Sequence, residues 1–252
     1  MATNIGFKKL KPVAWSATES TQLATFQRGL EADWTLQSLA QLRATLKKWL
    51  FANQKNRCAY CRFPIHENLG NAEVDHIIPK NIAPQLTYCR FNLILACKRC
   101  NHRKHVHNTT VLDELSVWGL GACPTRSADY MWVHPYIHNY DSHITLIEGW
   151  MYRPKSNSAR GKAVIDECKL DEVKEVAARI RYAEAVAAAD DQAAIFGLLS
   201  RHAGGTPEED IAIEFFVTRP ESNLDWDSII AGIRNIRSVS LNFRRGRPSR
   251  RT

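Results

Sequence analysis

Four cysteines, arranged as two Cys-x-x-Cys pairs, are the residues of this chain whose types and spacing most clearly indicate chemistry. The two pairs are Cys58 with Cys61 and Cys97 with Cys100. Four thiolates form a tetrahedral ligand set that Zn²⁺ closes completely, which leaves no open coordination position. The sequence therefore predicts a structural zinc site, with the catalytic chemistry elsewhere. The repeated spacing disfavours the alternative, in which the pairs are buried small hydrophobic side chains.

An Asp-His pair lies between the two cysteine pairs, in the sequence EVDHIIPK. Hydrolysis of a phosphodiester needs a base for the attacking water and a cation for the phosphate and the leaving oxygen. His76 titrates near neutral pH and can serve as the base. Asp75 and Asn101 offer hard oxygen ligands, which suit Mg²⁺ or a similar ion such as Mn²⁺. The alternative is that Asp75 and His76 are an ordinary surface pair. Their position between the two cysteine pairs disfavours that interpretation.

The elements that must position these residues are short. Alternating, β-rich residues predict a strand over 73–78. Residues 91–95 are expected to form a second strand or the turn into a helix, and a polar, basic helix is expected to open at Asn101. Because successive side chains of a strand face opposite ways, Asp75 and His76 can address the same site only if the strand twists or bulges.

The combined motif resembles the HNH endonucleases, which have the ββα-metal (His-Me finger) fold. Their zinc-stapled members carry a Cys-x-x-Cys, an Asp-His-Ile-x-Pro, an Asn and a final Cys-x-x-Cys-Asn-x-x-Lys. This chain contains CAYC, DHIIP, Asn92 and CKRCNHRK in that order. The resemblance implies that His76 is the general base and that Asn92 is the structural Asn that fixes the loop carrying it. It also implies that Asp75 and Asn101 hold a single catalytic ion.

The last ligand of the catalytic ion stays open at the level of sequence. The final letter of the family's name falls on Asn101 here, and His102 lies beside it. His105 lies four residues after Asn101, on the same face of a helix. His102 and His105 are therefore alternatives to Asn101.

Charge is distributed unevenly along the chain. Residues 1–110 carry sixteen Lys/Arg and six Asp/Glu, residues 111–238 carry thirteen and twenty, and residues 239–252 carry five Arg and no acid. A basic front suits a polyanionic substrate, although a merely solvated surface is the alternative. The nucleic acid expected is DNA, with RNA as the alternative. The residues expected to contact nucleic acid are Lys80, Lys98, Arg99, Arg103 and Lys104.

The fold class expected is α+β, with a small ββα-metal nuclease core and its structural zinc embedded in a largely α-helical chain. Helical periodicity is expected over 19–53 with a break near 33–35, and again over 170–189, 193–202, from 206 and over 226–237. The predicted divisions are a basic N-terminal helical segment, the nuclease core, a mixed then mainly helical C-terminal domain and a mobile basic tail, over 1–57, 58–110, 111–238 and 239–252.

The remaining cysteines and a group of histidines are expected to pack rather than to act. The cysteines are Cys89, Cys123 and Cys168, and the histidines are His134, His138 and His143. A second contact to substrate is the alternative for the histidines. No apolar run approaches the roughly 20 residues that span a bilayer. The first residues lack the apolar core of a secretory signal, so a cytoplasmic location is expected, where metal ligation is favoured over disulfides.

A weaker resemblance extends along more of the chain. The basic N-terminal helix, the zinc-stapled unit, HPYIHNYDSHITLIEG and AVIDECKLDEVKEVAARIR are similar to the HNH components of Septu-type and retron-associated anti-phage systems. This resemblance implies an effector of anti-phage defence whose helices dock an ABC/SMC-like ATPase. The alternative is a non-catalytic subunit that binds nucleic acid or docks the ATPase.

Overall fold

The computed structural model describes residues 7–67, 70–147, 151–202 and 206–245. The chain divides into two compact units, Met1–Ala177 and Ala178–Thr252. The first unit therefore continues past the boundary predicted at residue 110. Helices and two small antiparallel sheets make up the described residues, which agrees with the mixed class predicted. Among the described helices, none combines the length and apolarity that crossing a membrane requires.

The N-terminal segment folds into two helices joined by tight turns. Helix α1 spans Ala17–Phe26, and helix α2 spans Ala40–Asn53. Between them, 3₁₀ turns cover Glu31–Thr35 and Gln37–Leu39. The break predicted near 33–35 is present, but it is wider than expected. The apolar face of α2 packs into the main core through Leu46, Leu50 and Phe51.

The cysteine pairs and the Asp-His pair lie in a ββα unit. Strand β1, Ala72–His76, pairs antiparallel with strand β2, Leu93–Cys97. Helix α3, Lys98–Lys104, follows β2 directly and so begins earlier than the predicted start at Asn101. Both strands lie within a few residues of their predicted positions. All five residues of β2 are buried, because this strand runs through the main core.

The outer edge of β2 is closed by a side chain rather than by a third strand. The Gln54 amide donates to the Leu95 carbonyl at 2.9 Å and accepts from the Leu95 N–H at 2.7 Å. The Ala59 N–H donates to the same carbonyl at 2.9 Å. Buried backbone groups need such partners, so the fully buried Gln54 replaces a missing strand.

The rest of the first unit covers the ββα unit with short elements. Helix α4 spans Glu114–Trp118, and helix α5 spans Ala159–Glu167. Strand β3, Ile144–Ile147, pairs with strand β4, Met151–Pro154.

Helix α6, Val173–Arg201, is continuous and extends across the boundary between the two units. Helical structure was predicted over 170–189 and again over 193–202, and a single helix covers both ranges. Asp191 lies within this helix and is buried. Its carboxylate accepts from Ser222 Oγ at 2.9 Å and pairs with Arg219 at 3.3 Å, so its charge has partners.

Two further helices complete the second unit. Helix α7 spans Glu208–Thr218, and helix α8 spans Trp226–Arg245. Helix α8 extends beyond 238, where a mobile tail was predicted to begin, and residues 246–252 lie outside the described part of the chain. A separate apolar cluster holds this unit together. Its buried members include Ile195, Phe215 and Ile229.

The cysteines outside the four-cysteine cluster behave in two ways. Cys89 and Cys123 form a disulfide, with Cα atoms 6.6 Å apart, so the expectation that they only pack is wrong. The loop after β1 and the segment after α4 share one apolar cluster, and this brings the two thiols together. Cys168 is buried and free, which confirms its predicted packing role.

The histidines at 134 and 138 are buried and hydrogen-bonded, which confirms their predicted packing role. His138 accepts from the backbone N–H of His134 at 2.9 Å, and its Nε2 lies 2.8 Å from Ser127 Oγ. His143 is half-buried, with Nδ1 2.7 Å from Ser158 Oγ. None of these three residues lines the cavity that contains the Asp-His pair.

Candidate metal centre and catalytic cavity

The four Cys-x-x-Cys thiols converge on one point. Their Sγ atoms all lie within 4.8 Å of one another, and Cys61 Sγ is 3.9 Å from Cys97 Sγ. A Zn–S bond of about 2.3 Å in a tetrahedron places the sulfurs about 3.8 Å apart, so the donor set fits Zn²⁺. Among the described residues, this is the one cluster of three or more His, Cys, Asp or Glu side chains whose ligand atoms lie close enough to share an ion.

The two strands and α3 create this convergence. Cys97 ends β2 and Cys100 lies in the first turn of α3, so the strand-to-helix junction supplies two thiols. The backbone N–H of Cys97 donates to Cys58 Sγ at 3.3 Å, which joins the two pairs. Hydrogen bonds from Cys100 and the other thiols lower the pKa of Cys97, so one thiolate is already favoured.

Arg62 is a buried cation beside the thiols that sequence reasoning missed. Its guanidinium lies 3.5 Å from the centroid of the Phe7 ring and 4.1 Å from that of Tyr140. Burial lowers the pKa of Arg62 to about 10. Four thiolates around Zn²⁺ would carry a net negative charge, part of which Arg62 would compensate.

A cavity of about 330 Å³ contains the Asp-His pair and the other predicted ligands of the catalytic ion. It lies between β1, the loop after β1, α3 and the turn before α2. Of the predicted residues, Asp75, His76, Lys80, Asn101, His102 and His105 line it. Sequence reasoning left open how Asp75 and His76 would reach one site, and the structure brings both to this cavity at the end of β1.

His76 is held in one tautomer by its surroundings. Its Nε2 lies 3.0 Å from the Thr87 carbonyl oxygen. A carbonyl only accepts, so Nε2 carries the hydrogen and Nδ1 is the free acceptor. The Trp34 ring packs edge-on against the imidazole at a centroid distance of 4.7 Å. Burial lowers the pKa of His76 to about 3, well below the near-neutral value expected from the sequence, so the ring is neutral at neutral pH.

Asp75 is buried and has a partner on each carboxylate oxygen. Tyr60 donates its hydroxyl to Oδ2 at 2.5 Å, and Lys104 Nζ lies 3.3 Å from Oδ1. Lys104 also donates to the His76 carbonyl at 2.8 Å. Burial raises the pKa of Asp75, and the charge of Lys104 opposes that shift. Each oxygen keeps a second lone pair, so the carboxylate can still accept a ligand bond.

Asn92 lies behind His76 rather than in the cavity. Its side-chain amide accepts from the Ile78 N–H at 2.7 Å and donates to the Ile78 carbonyl at 3.0 Å. It also donates to the Leu86 carbonyl at 3.2 Å. These bonds tie the segment after β1 to the loop that carries the Thr87 carbonyl, and so they fix both sides of the His76 ring.

All three candidates for the last ligand of the catalytic ion, Asn101, His102 and His105, line the cavity. Asn101 Nδ2 donates to Glu73 Oε2 at 2.8 Å, which leaves the Asn101 carbonyl oxygen as a donor atom for a cation. His102 and His105 are exposed and line the same cavity. Glu73 was not predicted from the sequence, although its position two residues before Asp75 puts both side chains on one face of β1.

Most of the basic residues expected to contact nucleic acid are paired with carboxylates. Lys104 is fully buried, and Arg103 is directed inward with a side chain only 14% exposed, so neither is an exposed, unpaired cation in this structure. The pairs are Lys80 with Glu31 at 2.5 Å, Arg99 with Glu175 at 2.7 Å, Arg103 with Glu172 and Glu175 at 3.1 and 2.9 Å, and Lys104 with Asp75. Lys98 is exposed, and it forms no ion pair with the described residues.

Comparison with known proteins agrees with this geometry. Residues 58–107 match the family model of the HNH endonucleases. This segment is an HNH domain. The Septu protein PtuB of Bacillus thuringiensis is 26% identical over 128 residues, which cover 51% of this chain and 42% of that protein. The CRISPR-associated endonuclease Cas9 of Corynebacterium diphtheriae is 40% identical over 63 residues, 25% of this chain and 6% of that protein.

The resemblances to HNH endonucleases and to Septu-type HNH components are therefore confirmed. The matches span less than half the length of either relative. No solved structure matches the chain significantly.

Proposed function

We propose that this chain is a metal-dependent HNH endonuclease that hydrolyses phosphodiester bonds in DNA, with RNA as the alternative substrate. The observation that carries the proposal is the cavity shared by Asp75 and His76, within the segment that matches the HNH family. The basic front of the sequence supports a polyanionic substrate.

His76 acts as the general base. Its Nε2–H is committed to the Thr87 carbonyl, so Nδ1 takes the proton of the attacking water. The water oxygen attacks phosphorus, and the bond from phosphorus to the leaving oxygen breaks. Burial keeps the imidazole neutral, so its lone pair is available at neutral pH. Trp34 and Asn92 hold the ring and its backbone partner in position.

The two metal sites have separate roles. Cys58, Cys61, Cys97 and Cys100 would hold Zn²⁺, which stabilises the fold of the domain. Asp75 and Asn101, with His102 or His105 as alternatives for the last ligand, would hold Mg²⁺ or Mn²⁺. That ion, when bound, supplies charge stabilisation for the phosphate and the leaving oxygen.

Plasmid cleavage by the purified protein with Mg²⁺ or Mn²⁺ tests the proposal. His76→Ala should lower the rate at least about 100-fold, because general base catalysis contributes about 10²- to 10⁴-fold. His107→Ala is the matched control, since His107 is exposed and lies outside the cavity. Both variants should keep the zinc content and melting temperature of the wild type. A His76→Ala variant that cuts at the wild-type rate would refute the mechanism.

The biological setting follows from the relatives. Similarity to the Septu protein PtuB supports a role as an effector of anti-phage defence with an ABC/SMC-like ATPase as partner. Co-purification with an ATPase encoded beside this gene, and loss of phage protection in the His76→Ala variant, would test that role. The alternative, a non-catalytic nucleic-acid-binding or ATPase-docking subunit, predicts salt-sensitive binding or complex formation without cleavage in any divalent metal.

A further inference from the structure

A second cavity, of about 450 Å³, adjoins the one that contains Asp75 and His76. The two cavities share part of their walls, namely Trp34, Glu73, Val74 and Asn101. The second cavity continues away from the Asp-His pair along α2, where Arg43, Ala44 and Lys47 complete its lining together with Ala72. A polymer bound at the catalytic cavity can therefore continue along α2.

Two cations of α2, Arg43 and Lys47, line the second cavity. They lie four residues apart and so share one face of the helix. Arg43 Nη1 donates to the Leu36 carbonyl at 2.8 Å and to Tyr88 Oη at 3.3 Å, which fixes the guanidinium. Its Cζ lies 5.8 Å from the centroid of the Trp34 ring. No carboxylate of the described residues lies within ion-pair distance of Arg43 or Lys47.

Among the described Lys and Arg residues that line these two cavities, Arg43 and Lys47 are therefore the ones without a carboxylate partner. On the other side of the site, Lys80, Arg99, Arg103 and Lys104 are each paired with an acid. Glu73 lies in the shared wall, and its negative charge repels a phosphate. The two positive charges of Arg43 and Lys47 exceed this single negative charge.

We propose that Arg43 and Lys47 form a subsite for a backbone phosphate next to the scissile one. This inference rests on the proposed nuclease function and assigns part of its substrate binding to α2, outside the segment 58–107 that matches the HNH family. A planar guanidinium recognises a phosphate through two parallel N–H donors, and an ammonium adds a point charge. A fixed Arg43 loses little side-chain entropy on binding.

The experiment measures binding of a labelled DNA duplex by fluorescence anisotropy at several salt concentrations. It uses the full chain with His76→Ala, so that cleavage does not interfere. Lys47→Gln should weaken binding and reduce the slope of log Kd against log salt by about one, as loss of one phosphate contact does. Lys48→Gln is the matched control, because Lys48 is the adjacent exposed lysine and does not line either cavity.

A second variant tests the geometry of the guanidinium. Arg43→Lys keeps the charge but loses the paired donors, so affinity should fall while the salt slope stays near that of the parent protein. In a background with His76 intact, Lys47→Gln should raise KM and leave kcat almost unchanged. Melting temperatures would show whether either change perturbs the fold.

The outcomes separate this inference from the nuclease proposal. If the wild type cuts DNA but Lys47→Gln keeps the salt slope of the parent, the subsite is wrong and the nuclease stands. Equal losses in Lys47→Gln and Lys48→Gln would also overturn the subsite, because they would report only overall charge. A wild type that neither binds nor cuts nucleic acid would overturn both.

Discussion

Replacing Lys104 by Met should destabilise the protein strongly, although Lys104 is a surface-type residue near the end of a short helix. The side chain is fully buried, and its ammonium contacts Asp75 Oδ1 at 3.3 Å and the His76 carbonyl at 2.8 Å. Met has a similar volume but no charge, so Asp75 would be left as a buried carboxylate without its cation. Breaking a buried pair in this way costs about 3–5 kcal/mol.

Urea unfolding of zinc-loaded protein measures that loss in the free energy of unfolding. The same loss should also lower the melting temperature by roughly 10 °C in thermal unfolding, because each kcal/mol corresponds to about 2–4 °C for a unit of this size. The double variant Lys104→Met with Asp75→Asn removes both charges. It should lose at least about 2 kcal/mol less than the sum of the single changes, because the two groups are in contact.

Lys98→Met is the matched control for stability, since Lys98 is an exposed lysine of the same helix. Its unfolding free energy should stay within about 0.5 kcal/mol of the wild type. A Lys104→Met variant that loses less than about 1 kcal/mol, or an additive double variant, would refute a buried Lys104–Asp75 pair.

Two further predictions concern zinc and pH. Cys97→Ser should lose zinc and unfold, since zinc binding contributes on the order of 10 kcal/mol in model peptides. Cys168→Ser should keep its zinc, and a soluble Cys97→Ser variant with wild-type zinc content would contradict the assignment. Burial lowers the pKa of His76 and His134 to about 3 and of His138 to about 4, from 6.5. Stability should therefore be complete above about pH 6.5 and fall by roughly 1.4 kcal/mol per pH unit for each histidine towards the folded pKa values. Urea unfolding from pH 7.5 to 5 checks this with zinc release measured in parallel, and a flat profile would contradict it.

The local parts of the site could be predicted from the sequence because short-range patterns determine them. The spacing of Cys97 and Cys100 fixes two thiols across one strand-to-helix junction, whatever the rest of the chain does. The alternation around Asp75 and His76 indicates a strand, and the structure has it within two residues of the predicted start and end.

Long-range pairing could not be predicted, because nothing in a local pattern states which distant charge will meet another. Lys104 and Arg103 belong to a polar, basic run that is typical of an exposed helix. Arg103 instead meets Glu172 and Glu175, about 70 residues later, and Lys104 meets Asp75. The Cys89–Cys123 disulfide has the same character, since its partners are 34 residues apart in two irregular segments.

The aromatic stretch over 130–152 explains why the first unit extends beyond the HNH segment. Three of its tyrosines donate hydroxyl hydrogen bonds to backbone carbonyls of that segment. The bonds are Tyr136 to Leu93, Tyr140 to Tyr60 and Tyr152 to Cys61.

Two of these three contacts bear directly on the proposed metal sites. Tyr152 donates to the carbonyl of Cys61, a proposed zinc ligand, and Tyr140 donates to the carbonyl of Tyr60, whose own hydroxyl donates to Asp75 at 2.5 Å. Trp34, which precedes the motif in the sequence, packs against His76. The motif thus supplies the proposed catalytic groups, while residues before and after it fix their orientation. In the proposed hydrolysis, preorganised groups of this kind would need no rearrangement when charge develops, which is the condition under which electrostatic catalysis is most effective.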